Sequence, residues 1–248
     1  MSLAEQQVLD FEKNLRKVIA ALQTLIIKNA KSGYLFSLKA DERIRFAPDI
    51  YNSLIQALNE SGYYPLVSDL INQDKELIAE IVSIRGAAKL PTAFSKTSRE
   101  VLDAFRSMEY NQFRLIGEDF ANTLAQELTQ FVLTGVDETV FIDTIRSKLE
   151  SGLQRYATTY AMTSRAKFAQ QVQDEAAKNY DGELYWEYTG PVDDRMRDAC
   201  IDGMDKQYFT DFERSMFEAA TAEERAWNCR HIFQQITKED YEVSTNGT

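Results

Sequence analysis

The residues able to carry specific chemistry lie close together near the end of the chain. Its two cysteines, single histidine and two tryptophans share one block: Cys200, Cys229, His231, Trp186 and Trp227. Structural zinc usually takes four Cys or His ligands, often as two close pairs. Cys229-x-His231 supplies one pair, but Cys200 stands alone, so Asp198 or Asp202 would have to complete the set. We favour buried, reduced thiols without a cofactor; a zinc site and a disulfide remain alternatives.

A second candidate site combines acidic and basic residues just before a short predicted helix: Asp193, Asp194, Arg195, Arg197 and Asp198. Close carboxylates bind magnesium or share a proton in some enzymes. In a structural role, an aspartate at a turn accepts backbone hydrogen bonds while an arginine bridges to it with paired hydrogen bonds. We favour the structural interpretation. It predicts that replacing Asp193 by alanine harms folding or assembly rather than a chemical step.

Several other functions lack the motifs they need. The only histidine would have to serve any nucleophile as its base, and no Gly-x-Ser-x-Gly sequence occurs. The 10 glycines are scattered and form no phosphate-binding loop. The aromatic residues after position 184 are of the kind that stacks on bases, but their acidic surroundings favour the core of a small domain. We therefore expect no catalytic residues.

The charge of the chain favours a protein partner. Its net charge is −11, and residues 181–248 hold 16 acidic and 7 basic residues. A surface that grips phosphates should instead be basic. Two cysteines are too few for a disulfide framework. No stretch reaches the ~18 apolar residues of a membrane span, and the start lacks a signal-peptide pattern, which predicts a cytosol-like compartment and no membrane contact.

Most of the chain is predicted to be helical, and these helices must support the block that carries the candidate residues. Apolar residues recur at spacings of three and four over about 4–31, which predicts one long helix. Glycine, proline and capping signals delimit further predicted helices: 48–61, 65–86, about 95–135 with a bend or interruption at Gly117, 137–149 with Asp137 as N-cap, and about 152–179. The apolar stripes are too wide for strict heptads, so a packed helical assembly is expected.

The pattern changes after Gly182. Short aromatic or apolar runs predict three strands: 184–188, 207–210 and 229–233. A helix is predicted at 211–225, with Phe212, Met216 and Phe217 facing inward. These elements would form a small α+β module that carries both candidate sites.

The predicted fold class is therefore mainly α, with a multi-helix N-terminal region followed by this module and its short sheet. We place the helical region at 1–180, the module at 181–240 and a polar, flexible tail at 241–248. The first helix is expected to pack on its own domain. Docking of its wide apolar stripe on another subunit is the alternative.

The order of residues in the module is distinctive. Asp193-x-Arg195-x-Arg197-x-x-Cys200 leads to a turn with Gly203 and later to Asn228-Cys229-Arg230. This order resembles the C-terminal module of the phage Mu F-like minor head proteins, the head-morphogenesis proteins of tailed phages and prophages. That family carries roughly D-x-R-T-[CR]-x-x-[CH], then a glycine turn, then H-P-x-C-R-C. A helix with Ala161 to Ala166 and a strand with Trp186 resemble the segment before it. The resemblance covers about residues 156–233.

The chain departs from the family pattern at four positions: Ser164 stands for a glutamate, Arg197 for a cysteine, Trp227 for a proline and His231 for the last cysteine. Members with four cysteines look able to hold a metal. This chain keeps Cys200, Cys229 and His231, with no clear fourth ligand. The resemblance therefore implies a structural motif more readily than a metal centre.

The resemblance implies a structural minor capsid or head-morphogenesis protein, acting at or near the portal in head assembly, packaging or ejection. Expected partners are the portal, scaffold or major capsid protein, or further copies of the chain, and the sequence does not indicate which surface binds them. The expected location is the phage head, and the host cytoplasm during assembly. One alternative is a DNA-associated internal head protein that uses basic residues of the helical region: Lys89, Lys96, Arg99, Arg106 and Arg114. Another is a metal-dependent enzyme that uses Asp193 and Asp194.

Overall fold

The computed structural model of the protein describes residues 2–32, 49–135, 137–194, 196–225 and 229–246. Within these ranges the chain is mainly α, with a short antiparallel sheet near its C-terminus, which confirms the predicted fold class. The predicted helix start at Pro48 and the motif residues Arg195 and Asn228 lie outside the described residues.

The helices before the sheet are α1 (Leu3–Ser32), α2 (Ile50–Glu60), α3 (Tyr63–Asn72), α4 (Asp74–Ala87), α5 (Lys96–Thr134), α6 (Glu138–Lys148) and α7 (Arg155–Ala177). A π-helical turn, Leu149–Gln154, joins α6 to α7. The segment predicted as one helix at 65–86 is two helices, α3 and α4. The predicted N-cap of α6 is confirmed, because Asp137 Oδ1 accepts a hydrogen bond from Thr139 N at 2.7 Å.

The apolar stripe of α1 is buried as its spacing predicts. Its buried members follow one another at intervals of three and four: Val8, Phe11, Leu15, Ile19, Leu22 and Ile26. Burial of this face stabilises the 30-residue helix. Its N-terminus is also capped, because Glu5 N donates to Ser2 Oγ at 3.3 Å and Ser2 N donates to Glu5 Oε2 at 2.8 Å.

Gly117 does not interrupt α5, which corrects one of the two roles predicted for it, a bend or an interruption. The helix is continuous from Lys96 to Thr134. A Cβ built on Gly117 would lie 2.9 Å from Cε1 of the buried Tyr63. The glycine therefore serves close packing of an aromatic ring against the helix rather than a break in it.

The chain divides into two compact units, each assembled from several segments. One contains Met1–Val8, Asn72–Met108 and Thr159–Thr248, and the other contains Leu9–Ile71 and Glu109–Thr158. The division predicted at residue 180 marks the place where the secondary structure changes, and it differs from the division between these two units. The first unit carries both candidate sites and a cluster of buried apolar residues: Leu77, Ile81, Leu102, Phe168, Ala169 and Val172.

The C-terminal elements are β1 (Tyr185–Thr189), α8 (Asp198–Lys206), β2 (Tyr208–Thr210), α9 (Asp211–Ala220), β3 (Ile232–Ile236) and α10 (Lys238–Asn246). β1 is the central strand and pairs antiparallel with β2 on one side and β3 on the other. Tyr188 lies opposite Phe233, and Trp186 lies opposite Phe209. These pairs put large aromatic side chains on one face of the sheet.

Helix α7 holds the sheet through polar side chains as well as apolar ones. The Gln170 amide accepts a hydrogen bond from Phe233 N at 2.6 Å and donates one to Phe233 O at 3.3 Å. Arg214 of α9 pairs with Asp174 of α7 at 2.8 Å and lies over the Trp186 ring. The edge strand and α9 are thus both fixed to α7.

Two details of the C-terminal segment correct the sequence interpretation. Residues 238–246, predicted to belong mostly to a frayed tail, form α10. On α9, Phe212 and Met216 were predicted to face inward but are 74% and 59% exposed, whereas Phe217 packs against the aromatic core. Among the described residues, no helix is both long and apolar enough to cross a lipid bilayer.

Candidate functional site

The aromatic residues predicted for the module form its core. Trp186, Tyr188, Phe209 and Phe233 are at most 1% exposed, and Phe217 packs against them. The Tyr188 ring centroid lies 4.8 Å from that of Phe233. Rings buried in this way offer no face to a nucleic-acid base, in agreement with the preferred sequence interpretation.

Both cysteines and the histidine meet beside this core. Cys200 lies in the first turn of α8, while Cys229 and His231 lie immediately before β3. Their ligand atoms, two Sγ atoms and an imidazole nitrogen, all lie within 4.8 Å of one another. All three side chains are buried, with His231 only 4% exposed. The structure thus brings together the three candidates that the sequence placed 29 and 2 residues apart.

Two neighbours fix the imidazole of His231. On one face it stacks on Tyr188, with ring centroids 5.3 Å apart and planes inclined by 11°. Gly190 also lies against it, because a Cβ there would come within 2.5 Å of Cδ2 and 2.9 Å of the histidine Cα. Despite this packing, neither Nδ1 nor Nε2 makes a hydrogen bond of normal geometry. Leaving a buried polar atom unpaired costs about 1–3 kcal/mol.

The two thiols have unequal acidity. Burial opposes ionisation of Cys229, but contacts with His231 and with the Arg225 guanidinium outweigh it and lower its pKa to about 6. Burial, followed by the charge of Cys229, raises the pKa of Cys200. The Tyr188 hydroxyl lies 4.0 Å from Cys229 Sγ, and burial raises the tyrosine pKa. The metal-free pair therefore favours a thiolate at Cys229 beside a neutral thiol at Cys200.

In the acidic and basic cluster, Asp193 makes a bidentate ion pair of the kind that stabilises a fold. Arg230 donates to both carboxylate oxygens of Asp193, from Nη1 to Oδ2 at 2.8 Å and from Nη2 to Oδ1 at 2.6 Å. The paired hydrogen bonds are of the kind expected from the sequence, but the arginine comes from the second motif segment rather than from the cluster itself. Asp194 and Asp198 are exposed. Arg197 is the N-cap residue of α8, and its carbonyl accepts from Cys200 N at 2.8 Å.

Gly203 corrects the sequence interpretation because it lies inside α8 rather than in a turn. A Cβ at this position would approach Cε1 of Tyr188 to 2.5 Å and Cζ of Phe217 to 2.9 Å. The glycine therefore lets the helix lie directly on the aromatic core. The turn follows at Gln207, which has a φ of +59°.

Sequence reasoning missed three residues of this site: Tyr188, Gly190 and Arg225. Tyr188 and Gly190 contact the histidine, and Arg225 lies over the Tyr188 ring, 5.2 Å from its centroid. Alternation along β1 could have placed Tyr188 on the same face as Trp186. No sequence signal identified the contacts of Gly190 and Arg225, because they depend on how the loops fold back.

The other unit contains an open groove that is lined mainly by apolar residues. Its lining includes Ile26, Leu54, Leu128, Val132 and Phe141. Asp49 is the one charged residue in this lining, as far as the structure describes it. The groove has the character of a packing surface rather than of a catalytic site.

The arrangement in the module permits three chemical states. The thiols can remain reduced, they can join as a disulfide, or they can bind a metal ion together with His231. Among the described residues, no further His, Cys, Asp or Glu joins the group.

No protein-family model, curated protein or solved structure matches the chain. A functional conclusion therefore depends on the geometry described above and on the resemblance of the motif.

Proposed function

We propose that this protein is a structural minor capsid or head-morphogenesis protein of a tailed phage or prophage. It acts without catalysis, through contacts with the portal, scaffold or major capsid protein, during head assembly, packaging or ejection. Its place of action is the phage head, reached from the host cytoplasm.

The observation that supports this proposal most is the meeting of the two motif segments that carry the family resemblance. Asp193 of the first segment binds Arg230 of the second, and Cys200 of the first lies beside Cys229 of the second. These contacts tie α8 to the segment before β3. Such residues stabilise a module whose outer surface is then left to bind partners.

The surroundings of the acidic cluster do not favour an enzyme. Both carboxylate oxygens of Asp193 already accept hydrogen bonds from Arg230. A guanidinium in that position competes with a magnesium ion for the same oxygens. The thiols and the histidine are buried, which gives a substrate no direct access to them.

Two of the five basic residues proposed for DNA binding, Arg106 and Arg114, are already paired with carboxylates. Arg106 pairs with Asp74 at 3.1 Å and with Asp103 at 3.4 Å. Arg114 pairs with Glu118, four residues along the same helix. A cation already paired with a carboxylate releases fewer counterions from a phosphate backbone.

Helix α9 offers the most distinct apolar surface of the module. Phe212 and Met216 are four residues apart, so they lie on one face of the helix, and both are largely exposed. Exposed aromatic and methionine side chains are enriched in protein interfaces. We therefore expect this pair to contact the head-protein partner.

The proposal is tested by co-expressing the full chain with the portal and major capsid proteins encoded beside it, followed by size exclusion with light scattering. We expect a stable complex of defined stoichiometry with the portal. Replacing Phe212 and Met216 together by serine should weaken it by about tenfold or more. Val243→Ser is the matched control, since Val243 is equally exposed on another helix of the unit.

A monomer that binds neither head protein would contradict the proposal. Retardation of duplex DNA that weakens steeply with salt would favour the DNA-associated alternative instead. If the variant with serine at Phe212 and Met216 binds the portal as tightly as the original chain and Val243→Ser do, the proposed function is retained. The α9 surface is then excluded as the binding surface.

A further inference from the structure

The thiol and imidazole groups beside the aromatic core form a set that a reduced, metal-free core does not explain. His231 is buried with no hydrogen bond of normal geometry at either ring nitrogen, and buried polar groups are nearly always paired. Its ring is held in place by Tyr188 on one face and by the close approach of Gly190. A ring nitrogen that is held in place beside two sulfur atoms, without a hydrogen bond of normal geometry, indicates a ligand that binds all three atoms.

We propose that Cys200 Sγ, Cys229 Sγ and a ring nitrogen of His231 bind one zinc ion that joins α8 to the segment before β3. The proposal is independent of the head-assembly function, because it concerns how the module is stabilised.

The geometry is close to that of a zinc site. Zinc bond lengths of about 2.3 Å to sulfur and 2.0–2.1 Å to nitrogen place tetrahedral ligands about 3.5–3.8 Å apart. The three ligand atoms already lie within 4.8 Å of one another. Side-chain movements of about 1 Å would therefore complete the coordination. The fourth position is left to water.

The donor set selects the metal. Two thiolates and one imidazole suit zinc, whereas magnesium and calcium prefer oxygen ligands. Two thiolates also cancel the double positive charge of the ion, so the ion and its two sulfur ligands are together neutral beside Arg225. The Tyr188 hydroxyl, 4.0 Å from Cys229 Sγ, lies where an outer-shell donor to a thiolate is expected.

A disulfide explains fewer of the observations. It would join Cys200 to Cys229, which share one small cluster, but it would leave both nitrogens of His231 unpaired. Reduced thiols offer His231 at most the Cys229 sulfur as a partner, which leaves the other ring nitrogen and the Cys200 thiol without a role. Only a metal ion gives a role to all three side chains and to the packing that orients the histidine.

The test uses the full chain, purified under reducing conditions without chelator and after removal of any affinity tag. Elemental analysis should find about one zinc per chain. After exchange with cobalt, thiolate-to-metal charge-transfer bands and tetrahedral ligand-field bands should appear. Because the chain has only two cysteines and one histidine, a thiolate–cobalt spectrum assigns the site without a mutation.

Variants then define the ligands. His231→Asn should lower zinc affinity by more than about 100-fold, since even outer-shell changes cost 10–100-fold. Asp202→Asn is the matched control, because Asp202 is an exposed carboxylate two residues from Cys200. It should keep the metal, and loss of zinc from this control would contradict the three-residue ligand set.

A second measurement covers variants that fail to fold. On the original chain, zinc should slow alkylation of both cysteines at least about tenfold, and chelator should restore the rate. Folded protein that contains no zinc and gives no cobalt spectrum would overturn the proposal. So would a Cys200–Cys229 disulfide in freshly prepared protein that persists as the main species in the presence of zinc.

Discussion

The helices of the second unit and the C-terminal module are stabilised by different kinds of contact. In the helical unit, apolar stripes supply the core, while the ion pairs join exposed or half-buried residues, either four positions apart, as in Arg16–Glu12, or between helices, as in Lys31–Glu138. In the module (residues 181–240), polar side chains also join distant parts of the chain. Trp186 donates to Asp211 at 3.0 Å, and Asp193 binds Arg230.

This difference indicates how each region responds to substitution. An apolar stripe tolerates exchanges that keep its period and volume, and exposed ion pairs contribute little. In the small module, many side chains make one specific contact each, so each substitution should remove a defined interaction. The predictions below test this contrast. Tryptophan fluorescence reports on the C-terminal block, which holds both tryptophans, and far-UV circular dichroism reports mainly on the helices.

Tyr188→Ala should have the largest effect. The ring is fully buried and packs against His231, Phe209 and Phe233. Removing a buried aromatic side chain costs about 3–5 kcal/mol. In urea unfolding, the fluorescence midpoint should fall much further than the circular dichroism midpoint. Tyr188→Phe, which keeps the ring, should cost about 1 kcal/mol. Equal shifts of both midpoints would show that the two regions do not respond separately.

Gly190→Ala should destabilise the module by about 1–3 kcal/mol. The new Cβ would lie 2.9 Å from the backbone Cα of His231, an atom that cannot rotate away. Gly152→Ala is the matched change in the helical unit, where the nearest atom is 3.6 Å away. Since glycine is unfavourable within a helix, this change should be neutral or stabilise by up to about 1 kcal/mol. Equal destabilisation by both variants in thermal melts would argue against the contrast.

Thr210→Ala should have a smaller effect, about 1 kcal/mol. Thr210 caps α9 in a reciprocal arrangement, because its hydroxyl accepts from Glu213 N while Glu213 accepts from Thr210 N. Thr210→Ser should retain most of the stability, measured by the fluorescence midpoint in urea. A serine variant as unstable as the alanine variant would point to the lost methyl group instead of the cap.

The smallest expected effect is a pH dependence at Glu213. Burial opposes ionisation of this carboxylate, but Lys206 and the hydrogen bonds from Thr210 outweigh it and lower its pKa. A lowered pKa in the folded state contributes stability above the ordinary glutamate pKa of about 4.3, and this is lost as the pH falls through the folded value. The stability gap between the original chain and Glu213→Gln should therefore shrink from about pH 7 to about pH 3. A gap that is constant with pH would exclude this linkage.

Periodicity predicted the helical part of the fold well, because one buried stripe determines both the element and its inward face. The buried positions of α1 follow the predicted spacing. Glycines were harder to interpret. Gly117 and Gly203 both lie inside helices, where each permits an aromatic ring to approach. A glycine required for packing has the same sequence signal as one required for a turn.

The candidate site could be predicted only in part. The sequence identified Cys200, Cys229 and His231 as a group, and the structure brings them together. It did not reveal their contacts with Arg225 and Gly190, since these depend on loop paths. The exposed face of α9 was also misassigned, because the neighbouring elements cover only Phe217.

A buried ion pair in the helical part of the first unit was missed for a similar reason. Arg165 binds Asp74, and both are almost completely buried. Burial raises the pKa of the Asp74 carboxyl, and Arg165 and Arg106 oppose that shift. In the sequence, both residues have the pattern of exposed charged side chains on helices. Only the packing of α4, α5 and α7 shows that they are interior groups.

The contact of Gln170 with strand β3 also has a consequence for association between copies. β3 is an edge strand, and unpaired edge strands are templates for strand addition by another chain. At Phe233, the backbone N–H and C=O that would serve such a template are already bound to the Gln170 side chain. A second molecule could extend the sheet there only by displacing this amide, so the side chain protects the protein against edge-to-edge aggregation.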